Sequence, residues 1–147
     1  MTNSIIVTNT ILAPVSTAWN CYTQPEHITK WNFASSDWRC PNATVDLKVG
    51  GEFSSRMEAK DGSMGFDFGG VYTKIENEKA INYTMNVMQD QKPKDGRRVE
   101  ITFEKIDYKE SKITISFEPE TENSRELQQD GWQTILDNFK KHTEKVY

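Results

Sequence analysis

The sequence has 147 residues, with 18 basic and 22 acidic side chains and a formal net charge of −4. One domain of this length can bury a core without disulfides or a metal. The weakly acidic, interspersed charge argues against binding to nucleic acid or to an anionic membrane. No segment approaches the ~20 apolar residues of a membrane span, and nothing near Met1 resembles a signal peptide. We therefore predict a single soluble domain over residues 1–147, located in the cytoplasm.

The residues that most often ligate metals are few. The two cysteines, Cys21 and Cys40, do not have the spacing of a metal-binding motif. In a cytoplasmic protein they are expected to be reduced thiols, with a disulfide between them as the alternative. The two histidines, His27 and His142, are too few for a histidine-rich site. We predict no metal and no cofactor.

The amino-terminal residues predict one strand followed by two short helices. Ile5–Leu12 is rich in β-branched residues, which favours a strand. Pro14 suits the start of a helix whose apolar residues recur at helical spacing as far as Tyr22. Thr23 is predicted to cap the second helix, Pro25–Trp31.

An irregular segment and a meander of strands follow. Residues 32–42 carry apolar side chains without periodicity, which predicts a loop that packs onto the domain as a lid. Val45–Leu47 is predicted as a short strand. Between residues 53 and 117, runs of alternating apolar and polar residues predict an antiparallel sheet with one face in water. Gly69 and Gly70, inside one run, predict a bulge or a close approach of another backbone.

One basic cluster lies between two of the predicted strands. Its members are Lys92, Lys94, Arg97 and Arg98. Because aspartates interrupt it, we interpret the cluster as a solvated loop, with a phosphate site as the alternative.

The carboxyl-terminal segment predicts one long amphipathic helix. Ser124 is placed to cap its N-terminus. Apolar residues recur along it at helical spacing, namely Leu127, Gly131, Trp132, Ile135, Leu136 and Phe139. Because glycine disfavours a helix, Gly131 predicts a close contact with the backbone at that point. Only this element is long enough to cover the concave face of a curved sheet, so we predict an α+β fold.

Several short motifs together resemble one family. They are Ala13-Pro14-Val15 with Trp19, Thr23-Gln24-Pro25-Glu26-His27 with Trp31, the run from Asp46 to Phe53, Gly70-Val71-Tyr72, and Gly131-Trp132 with Leu136, Asn138 and Phe139. From Ile5 to Val146 the chain resembles bacterial homologues of the C-terminal domain of the heat-shock-protein-90 ATPase activator. That family belongs to the START/Bet v-like (SRPBCC) helix-grip superfamily.

The resemblance implies a helix-grip fold, in which a curved antiparallel sheet wraps around a long C-terminal helix and two short helices follow the first strand. It also implies a cavity between helix and sheet, which in the superfamily often holds apolar or aromatic ligands. The superfamily contains carriers, cyclases and cochaperones, so no single function follows. The eukaryotic cochaperone makes much of its chaperone contact through an additional N-terminal domain for which this chain has no room, so activation of a chaperone ATPase is not carried over.

Catalytic motifs are absent from the sequence. It contains no P-loop, no G-x-S-x-G, no H-E-x-x-H and no C-x-x-C. We interpret His27 as exposed, with a proton-carrying role at the cavity mouth as the alternative, and assign no chemistry to His142. The strand carboxylates alternate out of phase with the apolar residues and are expected to face solvent. They are Glu52, Glu58, Asp67, Glu100 and Glu104. We predict no catalytic residue.

Aromatic and other large apolar side chains are the main functional signal. By strand parity and helical spacing they share an inner face or lie near the cavity entrance. We predict that the ligand-binding residues are Trp31, Phe33, Trp38, Phe53, Met57, Phe66, Phe68, Tyr83, Phe103, Phe117, Trp132 and Leu136. A solid core is the competing interpretation for most of them. Tyr83 is expected to orient the ligand through its hydroxyl.

Three functions are consistent with these observations. The first is non-enzymatic binding of a hydrophobic or aromatic small molecule in a cavity between sheet and helix. The second is a cochaperone-like module that binds a protein partner, which an exposed apolar patch would favour. The third is a polyketide-cyclase-like enzyme, which a deeply buried ionisable group with a shifted pKa would favour. We expect a monomer or a homodimer, with Ile5–Leu12 or Val45–Leu47 as an edge strand able to pair.

Overall fold

The elements follow one another as a strand, two short helices, a run of strands and one long helix. A computed structural model describes residues 3–85, 87–89, 92–94 and 96–147, with the backbone alone for 87–89 and 92–94. The strands are β1 (Ile5–Ile11), β2 (Trp38–Arg39), β3 (Ala43–Val45), β4 (Glu52–Ala59), β5 (Gly65–Glu76), β6 (Ala80–Met85), β7 (Val87–Gln89), β8 (Lys92–Lys94), β9 (Arg98–Asp107) and β10 (Glu110–Phe117). The helices are α1 (Val15–Thr23), α2 (Pro25–Trp31) and α3 (Arg125–Val146).

The main sheet is antiparallel and carries α3 on its concave face. Its strand order is β1-β10-β9-β6-β5-β4-β2, with β3 also paired to β4, while β7 and β8 form a separate hairpin. Ile101 of β9 lies opposite Ile115 of β10, and both side chains are buried. Because side chains alternate along a strand, this register places the apolar residues of both strands on the inner face. The predicted α+β helix-grip fold is confirmed.

The apolar face of α3 completes the core. The Ser124 hydroxyl accepts a hydrogen bond from the Leu127 amide at 3.1 Å, which confirms the predicted cap. Phe139 is fully buried, and Trp132 stacks on Phe117 with ring centroids 4.1 Å apart. Leu127 was predicted to belong to this face, but its side chain is 59% exposed. The buried face of the helix therefore begins at the polar residue Gln128, which the apolar spacing does not include.

The junction of the two short helices differs from the prediction. Thr23 does not cap α2, because it is the last residue of α1 and its hydroxyl donates to the Trp19 carbonyl oxygen at 2.8 Å. Gln24 takes the cap position without a side-chain hydrogen bond. The helix begins at Pro25, where the missing N–H would have had no intrahelical partner.

Two strand predictions also need correction. The short strand before β4 is β3, which ends at Val45 instead of continuing to Leu47. The segment predicted as a basic loop contains β8, which pairs with β7, and its last residue, Arg98, begins β9. The side chains of Lys92 and Lys94 lie outside the described residues, so their predicted exposure stays a prediction.

The glycines of β5 allow the close approach that was predicted for them. A Cβ at Gly70 would lie 2.6 Å from the Thr84 carbonyl oxygen of β6 and 2.9 Å from a ring carbon of Phe53. The pairing of β4 with β5 is regular at this point, and the register shift of β5 lies further along, between Tyr72 and Lys74. Gly70 therefore serves close packing of a neighbouring strand and ring, and not a bulge.

Gly131 lacks the close neighbour that the sequence predicted. Among the described residues, a Cβ built there would meet no atom of another element within 4 Å. Glycine inside a helix lowers stability by roughly 0.5–1 kcal/mol relative to alanine. We expect Gly131→Ala to raise the free energy of unfolding, measured by urea denaturation, by about that amount. A loss of stability would show that the space beside Gly131 is filled.

Candidate functional site

A cavity of about 240 Å³ lies between α3 and the concave face of the sheet. Its walls are formed by Tyr22, Ile28, Trp31, Asn32, Val45, Phe53, Ser55, Met57, Phe66, Phe68, Tyr72, Ile81, Tyr83, Ile115, Trp132, Ile135, Leu136 and Phe139. An apolar cavity of about 150 Å³ is sufficient to hold benzene. The volume here therefore admits a molecule larger than a single ring.

Most of the predicted ligand-binding residues meet at this cavity. Those that line it are Trp31, Phe53, Met57, Phe66, Phe68, Tyr83, Trp132 and Leu136. Phe66 lines the cavity and is also 42% exposed, so the cavity reaches the surface beside this ring. The structure thus gathers these side chains around one space, and their role in binding a ligand stays a prediction.

Two predicted residues support the walls from behind and do not line the cavity. Phe103 is buried against Trp19 and Tyr22, with ring centroids 5.0 and 5.6 Å away. Phe117 is fully buried beneath Trp132, the ring that faces the cavity. Both were predicted correctly as inner-face residues, but a layer of other side chains separates them from the space.

Two further predicted residues lie beside the cavity, in the segment between α2 and β3. Trp38 packs against Phe66, with ring centroids 5.9 Å apart. Phe33 is half-buried, and its carbonyl oxygen accepts a hydrogen bond from the Asn138 side chain of α3 at 2.7 Å. This contact ties the segment to the long helix next to the opening.

Several lining residues escaped the sequence prediction. They are Tyr22, Ile28, Asn32, Val45, Ser55, Tyr72, Ile81, Ile115, Ile135 and Phe139. Ser55 shares the parity of Phe53 and Met57 on β4, so strand alternation places it on the same inner face, although it was not among the predicted ligand-binding residues. Tyr22 reaches the cavity because α1 packs across one end of the sheet, an arrangement that no local pattern encodes.

Aromatic rings make one wall of the cavity nearly continuous. Phe53 lies 5.1 Å from Tyr72 and 4.7 Å from Tyr83, measured between ring centroids. Phe68 lies 6.3 Å from Trp132 in an edge-to-face arrangement. Such walls suit a flat ligand that stacks on one ring and meets the edge of another.

Three tyrosines, together with Asn32 and Ser55, bring polar groups to this apolar space. Tyr22, Tyr72 and Tyr83 all line it. Burial is the main cause that raises the pKa of each phenol. The three phenols therefore stay protonated at neutral pH, and each can donate a hydrogen bond to a bound molecule.

The titratable groups around the cavity do not include a base that works near neutral pH. Of the lining residues in the described structure, none carries a carboxylate, an imidazole, an ammonium or a thiol. General acid–base catalysis needs a group whose pKa lies near the working pH. Phenols with raised pKa values instead suit the orientation of a ligand.

A second group of polar side chains lies outside the cavity lining, where the three helices meet. His27 Nδ1 and His142 Nε2 are 2.9 Å apart and share a hydrogen bond. Both side chains are half-buried, so the interpretation of His27 as exposed is wrong. The buried thiol of Cys21 lies beside them, and Cys21 and Cys40 are both free, as predicted. No helix of the described residues is long and apolar enough to cross a membrane.

The sequence and the fold match known proteins over nearly their whole length. The sequence model of the family described as "Activator of Hsp90 ATPase homolog 1-like protein" matches residues 12–144. An AHSA1-like protein from Aeromonas hydrophila, solved by NMR, is 36% identical; the match covers 97% of this chain and 94% of that chain, with a TM-score of 0.83. A protein from Cytophaga hutchinsonii is 45% identical; the match covers 98% of this chain and 94% of that chain, with a TM-score of 0.79. No curated protein matches this sequence.

Proposed function

Because the chain belongs to the family of Activator of Hsp90 ATPase homolog 1-like proteins, we propose that it binds a flat, mainly apolar small molecule in the cavity between α3 and the sheet. Three protonated phenols, gathered in the aromatic walls of one cavity, are the observation that carries this proposal. A ligand with one hydroxyl or carbonyl group would form a hydrogen bond with a phenol, while its apolar rings fill the remaining space.

The size of the cavity limits the ligand and its affinity. A molecule of about a dozen non-hydrogen atoms, such as a fused two-ring compound, is consistent with about 240 Å³. At roughly 0.5 kcal/mol per non-hydrogen atom its binding free energy is about −6 kcal/mol, a Kd of tens of micromolar. We therefore expect a carrier or sensor of an abundant metabolite, because a ligand whose concentration is far below this Kd would leave the site mostly empty.

A thermal-shift screen against flat aromatic and lipid-like metabolites tests this function. A ligand present at a hundredfold excess over its Kd stabilises the native state by about 2.7 kcal/mol. Ser55 is buried and lines the cavity, so Ser55→Phe should fill it and abolish the shift. Ser54→Phe is the matched control, because the neighbouring residue on β4 does not line the cavity. A blank panel, or equal shifts in both variants, would contradict cavity binding.

Tyr83→Phe adds a finer test, because it keeps the ring and removes only the hydroxyl. For a ligand with a polar group, we expect the Kd to rise about threefold to tenfold, the effect of losing one hydrogen bond. For a purely hydrocarbon ligand, the Kd should not change. A Tyr83→Phe variant that binds both kinds of ligand as the wild type does would show that this hydroxyl does not orient the ligand.

The cochaperone-like function would need a continuous apolar surface. Large exposed apolar side chains include Ile6 on β1, Met64 between β4 and β5, and Tyr108 between β9 and β10. These residues belong to separate elements, and single exposed apolar side chains are normal on a protein surface. The cavity is therefore the better supported site, and a blank ligand screen would shift the proposal to a protein partner.

A further inference from the structure

Three helices bring Cys21, His27 and His142 together. Cys21 lies on α1, His27 on α2 and His142 on α3, and one potential ligand atom from each lies within 4.8 Å of the others. None of the three lines the cavity, so the cavity proposal does not explain the cluster. The residue types are also specific, because a thiol and two imidazoles are the ligands that soft and borderline transition metals prefer.

We propose that Cys21, His27 and His142 form a binding site for a thiophilic closed-shell metal ion, Cu⁺ or Zn²⁺. The thiolate sulfur and one ring nitrogen of each histidine are the ligands. Zn²⁺ would take a water molecule as its fourth ligand, as in sites with three protein ligands. Cu⁺ accepts the same soft donor set.

The spacing of the ligand atoms is close to what such an ion requires. Bond lengths of about 2.0–2.3 Å place the ligand atoms of a bound Zn²⁺ roughly 3.4–3.8 Å apart. The imidazole nitrogens of His27 and His142 are now 2.9 Å apart, and a proton lies between them. The metal would take the place of that proton, which moves to the other nitrogen of its imidazole ring, and the Cys21 thiol would release its proton to solvent. Side-chain rotations that move the ligand atoms by about 1 Å are enough to reach this spacing, because the three helices already contact one another.

A buried hydroxyl next to the cluster strengthens the proposal. The Thr143 side chain is fully buried, and within the described part of the chain its hydroxyl is without a hydrogen-bond partner. It adjoins the Cys21 thiol, where it is placed to donate to a thiolate. A hydrogen bond to a metal-bound sulfur is a usual outer-shell contact, and the Thr143 hydroxyl is placed to make one.

The charges around the cluster favour an ion of low charge. Lys30 on α2 and Lys145 on α3 carry positive charges near His142. With the Cys21 thiolate, Cu⁺ forms a neutral site, whereas Zn²⁺ forms a site with one positive charge. We therefore expect Cu⁺ to bind more tightly than Zn²⁺, since added positive charge would be repelled by both lysines.

Metal titration of tag-free, chelator-treated protein tests the site. Co²⁺ serves as the spectroscopic probe, because a cobalt–thiolate bond gives a charge-transfer band in the near ultraviolet. We expect one ion per chain, and loss of the band when Zn²⁺ or Cu⁺ is added. A competing chelator then measures the affinity for each of these two ions under anaerobic conditions.

Variants assign the ligands. Cys21→Ser, His27→Gln and His142→Gln should each weaken metal binding by at least about 100-fold, and Thr143→Val by about tenfold. Cys40→Ser is the matched control, because Cys40 is also a buried free thiol but is not in the cluster. His27→Gln is decisive if Cys21→Ser fails to fold, since His27 is only half-buried. No charge-transfer band, or metal binding that is unchanged by His27→Gln, would overturn the proposal.

Discussion

Replacing Phe139 by alanine is expected to lower the free energy of unfolding by about 3–5 kcal/mol. The side chain is fully buried and meets the rings of Tyr22 and Trp31 at centroid distances of 5.3 and 5.1 Å. Its loss removes one of the contacts that α3 makes with each short helix and enlarges the cavity that it lines. Urea denaturation followed by tryptophan fluorescence measures the effect.

Leu127→Ala is the control for this variant. Leu127 lies on the same helix and is mainly exposed, so its replacement should change the free energy of unfolding by no more than about 0.5 kcal/mol. Equal losses in the two variants would mean that α3 is packed on a different face from the one that the structure shows.

Gly70→Ala is expected to cost about 2–3 kcal/mol of stability, although it adds a single methyl group. The new Cβ would lie 2.6 Å from the carbonyl oxygen of Thr84, and a backbone atom within a paired strand cannot move away easily. Gly131→Ala is the matched control with the opposite expected sign. A Gly70→Ala variant as stable as the wild type would show that β5 and β6 can separate at this point without loss.

The fold could be predicted because its signals are local. The alternation of apolar and polar residues around Ile101 and Ile115 predicted two strands whose apolar side chains face the core. In the structure these two strands are paired directly. Ser124 preceded an apolar helical stripe, and it caps α3. Local signals failed where a neighbouring element decides the outcome. Gly131 looks the same in sequence whether its surroundings are filled or open.

The candidate site was less predictable, because it depends on which elements meet. Strand alternation predicts that Phe103 and Phe68 both point to the inner face of the sheet. In the structure α1 covers Phe103, whereas Phe68 faces the cavity. His27 and His142 are separated by 115 positions, and only the packing of α2 against α3 brings them together. Side chains on one face of one element can be inferred from spacing, whereas the junction of three helices cannot.

The most direct test of cavity binding is an NMR titration of isotope-labelled protein with 2-naphthol, which has two fused apolar rings and one hydroxyl. Naphthalene, which lacks the hydroxyl, is the comparison. We expect saturable shift changes at cavity residues such as Phe68, Tyr83 and Leu136, and weaker binding of naphthalene. Chemical-shift changes located at exposed residues such as Ile6 and Tyr108, or changes that do not saturate, would contradict a ligand site between α3 and the sheet.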